Sequence, residues 1–210
     1  MPKPNSNPKI LSVDFQKDFS AKGGAHYRPR PAVNFIKETI VPYLIKNKIK
    51  IAEIISDYRT MWPDSGKDSC APGTWGYESE IDDRVKIKPI WVKCNNSPVW
   101  IRKNIGVANK KPGPAYSDPK KFKKWVGKVI GSPKSVGEII LIGLTADCCV
   151  FCTAQELCFM DYKVKILKEG TDAYSGSQKE KDMILKNFPL KNWASPITWK
   201  ELKKKLIDKK

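Results

Sequence analysis

Three side chains in this sequence have the chemistry of a nucleophile, a base and a cation: Cys149, Asp14 and Lys103. A thiol is only a few per cent ionised near neutrality, so a cysteine nucleophile needs a proton acceptor or a favourable field. Asp14 could take the thiol proton, and a lysine beside the pair would stabilise the thiolate. A carboxylate used as a base near neutrality needs a raised pKa of its own, which a buried strand end can supply. Each residue stands where an apolar run stops. Asp14 closes Lys9-Ile-Leu-Ser-Val-Asp14, Lys103 closes Ser97-Pro-Val-Trp-Ile-Arg-Lys103, and Cys149 follows Glu138-Ile-Ile-Leu-Ile-Gly143. Arg102 and Lys93 compete with Lys103 for the cation's role.

The elements that would position these residues follow from periodicity. Residues 138–154 read as a buried strand, a tight turn after Gly143 and a helix capped by Asp147. Cys149 would then lie in the helix's first turn, where the positive end of the dipole lowers a thiol pKa and N–H groups face a developing oxyanion. A helix is predicted over 30–44, opened by Pro31 and kinked at Pro42, followed by a strand over 50–57. Another helix is capped by Ser117, with Pro119 at its first position and Phe122, Trp125, Val126 and Val129 as its buried stripe. A strand over 162–167 precedes a helix from Ser177 through Phe188, and Thr198 with Glu201 caps the last helix. Alternating strands and helices predict an α/β fold around a mainly parallel sheet, with ligands bound beyond the carboxyl ends of the strands. Residues 58–90 and 104–116 lack periodicity and read as lid or pocket walls; Trp62, Trp75 and Tyr77 either line the pocket or pack the lid.

With 210 residues, the chain predicts a flexible leader over 1–8 and one domain over 9–210. No apolar run approaches the roughly 20 residues that cross a bilayer, and the leader has no secretory pattern. A soluble, cytoplasmic protein with reduced cysteines and no membrane partner is expected. The net charge is +17, yet only five of the 39 basic residues are arginines. Dispersed lysines describe a solvated surface better than a nucleic-acid site, so no nucleic-acid partner is expected.

The spacing Asp14-x-Gln16-x-Asp18-Phe19, then Lys103 after a strand, then Gly143-Leu-Thr145-x-x-Cys-Cys149-Val150-x-x-Thr153-Ala154 resembles the isochorismatase-like cysteine hydrolases. That superfamily includes nicotinamidases, carbamoylsarcosine amidases and biuret-type amidases, and the resemblance covers nearly the whole chain. It implies a three-layer fold with a six-stranded sheet in the order 3-2-1-4-5-6 and a catalytic triad of Asp14, Lys103 and Cys149. It also implies a non-proline cis peptide at Leu144–Thr145, oxyanion donors at the N–H groups of Thr145 and Cys149, Phe19 against the substrate, and a homo-oligomer. Cys148, the main rival to Cys149, lies where the family usually has another residue type.

The departures from the pattern carry information too. Nicotinamidases have an Asp-x-His and a further His that bind metal. Here Asp57 is followed by Tyr58 and Arg59, Ser69 precedes Cys70, and the single histidine, His26, lies elsewhere. No metal or other cofactor is therefore expected, and Arg59 is free to clamp a substrate carboxylate. The expected activity is metal-independent cleavage of the C–N bond of a small amide, carbamoyl or ureido compound through a Cys149 thioester, with water as co-substrate. Two alternatives stand beside it: thiol redox chemistry through Cys149 and Cys152, and a catalytically silent binding protein on the same scaffold.

Overall fold

Strands with no polar face must be covered on both sides, and such strands build the centre of a parallel sheet. The computed structural model describes residues 8–60, 68–187 and 190–207. Its strands are β1 (Lys9–Val13), β2 (Ala52–Ser56), β3 (Trp91–Lys93), β4 (Trp100–Arg102), β5 (Ala115–Ser117), β6 (Ile139–Leu144), β7 (Val164–Asp172) and β8 (Ser195–Ile197). β2 and β6 are buried at every residue. Six strands form one sheet in the order β3-β2-β1-β6-β7-β8, and every adjacent pair is parallel. Numbered within the sheet alone, this is the expected 3-2-1-4-5-6.

The helices are α1 (Lys17–Ser20), α2 (Pro31–Phe35), α3 (Val41–Lys46), α4 (Pro119–Val129), α5 (Cys149–Phe159), α6 (Gln178–Lys186) and α7 (Trp199–Ile207), and they flank the sheet. A π-helical stretch, Ile36–Ile40, joins α2 to α3 where the kink at Pro42 was expected. Proline has no N–H to continue the ladder, and a wider turn absorbs the loss. Asp118, not Ser117, caps α4, its carboxylate accepting the Lys121 N–H at 2.9 Å. The charged oxygen also complements the helix dipole. Phe122, Trp125, Val126 and Val129 form the buried stripe of α4, as the spacing predicted. Ser177 caps α6 and Thr198 pairs reciprocally with Glu201; the predicted end of α6 at Phe188 lies outside the described residues.

Two local readings are corrected. Gly143 does not end the strand, because β6 runs on to Leu144. It is glycine because its φ is +112° and a Cβ there would stand 2.0 Å from the Val13 carbonyl oxygen on β1. The third sheet strand is Trp91–Lys93, at the edge of a segment read as irregular. The Ser97–Lys103 run supplies β4 instead, which leaves the sheet and pairs antiparallel with β5. Three residues are too few to display a period of two, so β3 is invisible to pattern analysis.

Candidate active site

The parallel sheet puts the carboxyl ends of β3, β2, β1 and β6 side by side, and each delivers a polar group there. β3 ends in Lys93, β2 in Ser56, β1 runs into Asp14, and β6 leads through a short turn to Cys149 at the start of α5. Asp14 adopts a left-handed φ of +49°, which aspartate tolerates better than most residues. Lys93 Nζ lies 2.7 Å from Asp14 Oδ2, with both side chains fully buried, and 3.4 Å from Cys149 Sγ. Asp14, Lys93 and Cys149 thus form one closed cluster.

Its hydrogen bonds are well specified. Ser56 Oγ donates to Asp14 Oδ1 at 2.8 Å. Lys93 donates to Ser56 Oγ at 2.8 Å, Tyr58 Oη at 2.6 Å and the Asn95 carbonyl at 2.9 Å. Tyr58 Oη is 3.1 Å from the Cys149 sulfur, and Asn96 Oδ1 accepts from that thiol at 3.5 Å. Burial works against the Lys93 charge, but Asp14 and Cys149 outweigh it and hold Lys93 above the ordinary lysine value. The Cys149 thiol goes the opposite way from the helix-dipole expectation. Burial and then the Asp14 carboxylate push its pKa well above that of an ordinary thiol, with Lys93 opposing. The resting cluster is therefore an Asp14–Lys93 ion pair facing a neutral thiol.

The structure separates the sequence candidates. It brings Asp14 and Cys149 together as expected and replaces Lys103. That side chain is exposed at the end of β4, outside the sheet, with its carbonyl bonded to the Gly113 N–H at 3.0 Å. Lys93, weighed as a rival, takes the place because β3 and not β4 is the sheet strand. Arg102 is buried behind the site, donating to the Arg59 carbonyl and Thr60 Oγ1. Phe19 is buried beside the site, its ring edge-on to Tyr58 at 6.3 Å between centroids. Trp62 lies outside the described residues. Trp75 is exposed, with the Lys17 ammonium over its ring. His26 stacks on Phe19 at 5.0 Å and bonds Ser69 Oγ at 2.9 Å.

Leu144–Thr145 is a cis peptide. The carbonyl of Thr145 accepts the N–H groups of Cys148 and Val150, both at 3.1 Å. The Cys149 N–H lies between them, at the helix start where N–H groups lack an intrahelical acceptor. Cys148, rather than Asp147, is the cap residue of α5. Asp147 instead binds the Tyr174 N–H at 3.0 Å, tying the turn to the segment after β7. None of the six cysteines forms a disulfide. Burial pushes Cys152 up to about 11, with Lys93 opposing and Cys148 and Glu156 adding to the rise. Ser56, Tyr58 and Asn96 were not singled out by sequence. The available signal was the turn cluster Asn95-Asn96-Ser97-Pro98, which begins two residues after Lys93 and marks a strand end there.

The site does not fit a catalytic metal. Asp57, which resembles the nicotinamidase Asp-x-His aspartate in its sequence setting, is fully buried and committed to Arg59. Arg59 Nε donates to Oδ1 at 2.9 Å and Nη2 to Oδ2 at 2.7 Å, while the Gly106 N–H reaches Oδ2 at 2.9 Å. A guanidinium against this carboxylate repels a divalent ion, and among the described residues no three His, Cys, Asp or Glu side chains converge as ligands. The pair also corrects the expected role of Arg59, since its fork is spent on Asp57 and not open to a substrate carboxylate. Arg59→Leu should destabilise the protein to urea by about 1.5–3 kcal/mol, because a buried carboxylate loses two charge-assisted hydrogen bonds. An unchanged unfolding midpoint would contradict this structural role.

The chain's fold is that of known hydrolase structures. An isochorismatase-like hydrolase from Alkaliphilus metalliredigens superposes with a TM-score of 0.61 at 18% identity, over 98% of this chain and 99% of that one. The pyrazinamidase of Pyrococcus horikoshii, solved in complex with zinc, gives a TM-score of 0.61 at 14% identity, over 92% and 99%. N-carbamoylsarcosine amidase from Thermoplasma acidophilum gives 0.54 at 16% identity, over 91% and 96%. No family model matches the sequence. No curated protein matches it either.

Proposed function

We propose that this protein is a cysteine hydrolase that cleaves the C–N bond of a small amide, carbamoyl or ureido compound without a metal ion. The observation that carries the reading is the buried Asp14–Lys93–Cys149 cluster at adjacent strand ends. Its fold is shared with structures described as nicotinamidase, pyrazinamidase and N-carbamoylsarcosine amidase. In the first half-reaction Asp14 takes the Cys149 proton as the sulfur attacks the carbonyl carbon. The N–H groups of Thr145 and Cys149 receive the oxyanion, a contribution of about 3 kcal/mol per donor. Asp14 returns the proton to the leaving nitrogen, the C–N bond breaks, and a thioester remains with ammonia or an amine released. In the second, Asp14 deprotonates water, which attacks the thioester, and the acid departs as the proton returns to the thiol. Lys93 holds Asp14 in place through their 2.7 Å contact and offsets negative charge on the sulfur.

A panel of ureido, carbamoyl and nicotinamide-like amides, assayed for ammonia release with trapping of the acyl-enzyme by hydroxylamine, tests the reading. Substrate-dependent hydroxamate and ammonia are the expected products, and silence across the whole panel would refute the assignment. The alkaline limb of the rate profile is a further expectation. Activity needs Lys93 protonated, and its pKa stands above the ordinary lysine value. Activity should therefore persist through the range where a free thiol titrates, about pH 8–9, and decline only beyond the ordinary lysine range. A decline near pH 8.5 would show that some other group controls the rate.

A further inference from the structure

The proton inventory around Cys149 assigns a role to a residue that neither the triad nor the fold supplies. Lys93 has three N–H groups, and four oxygens lie within 2.9 Å of Nζ: Tyr58 Oη at 2.6, Asp14 Oδ2 at 2.7, Ser56 Oγ at 2.8 and the Asn95 carbonyl at 2.9. The Cys149 sulfur at 3.4 Å is last in that order. The sulfur is thus the most distant of five acceptors that share the three N–H groups of Lys93. Tyr58 Oη accepts from Lys93, which leaves its own hydrogen to donate. Three acceptors face it: Cys149 Sγ at 3.1 Å, and Asp14 Oδ2 and Asn96 Oδ1 each at 3.4 Å. An O–H bond to oxygen prefers about 2.7–2.8 Å, so both oxygens are at stretched distances, whereas sulfur's larger radius makes 3.1 Å a full contact.

We propose that the Tyr58 hydroxyl is a catalytic hydrogen-bond donor to the Cys149 sulfur, polarised by Lys93 and strengthened when the sulfur becomes a thiolate. Charge-assisted bonds are roughly twice as strong as neutral ones, so the donor favours the charged sulfur over the thiol. The thiol proton goes to Asp14 and the tyrosine proton stays on its oxygen. Burial, followed by the charges of Cys149 and Asp14, keeps the phenol protonated and hence a donor throughout. The inference deepens the hydrolase reading by naming a further residue of the same site, but it concerns the thiol itself and can be tested without any substrate.

The test follows iodoacetamide alkylation of Cys149 against pH, read by peptide mass so that the other five cysteines do not contribute. Tyr58→Phe should slow alkylation about tenfold at every pH below the titration midpoint and move that midpoint upward, with the limiting alkaline rate retained. A profile superimposable on the wild-type one would overturn the proposal. Fluorotyrosine at position 58, with a more acidic hydroxyl, should move the midpoint downward and serves if the phenylalanine variant does not fold. An unchanged midpoint there is equally fatal. Absence of amide turnover in the wild type with these shifts present would sink the hydrolase reading and leave the role of Tyr58 standing.

Discussion

Cys149→Ala is expected to fold, to bind amide substrates and to release no ammonia from them. Removing the nucleophile of a comparable triad lowers turnover by about 10⁴-fold or more, because no other group can form the covalent intermediate. Cys149 is buried at the first position of α5, and alanine suits a helix start without changing the backbone. The lost contacts of one sulfur should cost little stability, so thermal melts separate chemical from structural loss. Cys148→Ala and Cys152→Ala are the matched controls and should keep most activity. Turnover that survives in Cys149→Ala but fails in Cys148→Ala would move the nucleophile by one residue.

The second large effect concerns the lysine. Lys93→Met should abolish turnover and also destabilise the fold by about 3–5 kcal/mol, since it leaves the fully buried Asp14 carboxylate without its cation. The combination Asp14→Asn with Lys93→Met removes both charges and should recover much of the stability while staying inactive. Lys103→Ala, at an exposed turn position just after β4, should change stability by no more than about 0.5 kcal/mol and leave activity intact. Urea denaturation read beside ammonia release distinguishes these outcomes. An inactive Lys103→Ala beside an active Lys93→Met would restore the lysine first read from sequence.

The two lysines show where the sequence stops being informative. β6 is a wholly apolar run and β1 is interrupted only by Lys9 and Ser12, so their ends, and with them Asp14 and Cys149, are legible from the apolar pattern. β3 has only Trp91, Val92 and Lys93, and nothing in so short a run says that it joins the sheet while Trp100–Arg102 does not. That choice is made by pairing with β2, where Lys93 comes into register with Ser56. Arg59 repeats the point, because its partner two residues away was visible but the burial that makes the pair exclusive was not.

The amino-acid sequence by itself determined the alternation of elements, the sheet order through resemblance, the cis bond and two of the three central side chains. The alternation and the ends at Asp14 and Cys149 follow from local propensity, whereas the sheet order and the cis bond are what the family resemblance implied. Tertiary structure alone decided which cation meets Asp14, that Tyr58 stands against the sulfur, and that the Cys149 thiol is raised rather than lowered. The helix dipole that sequence reveals acts over a single turn. Burial and a facing carboxylate come from strands that are distant in the chain, and in a dry site they outweigh it.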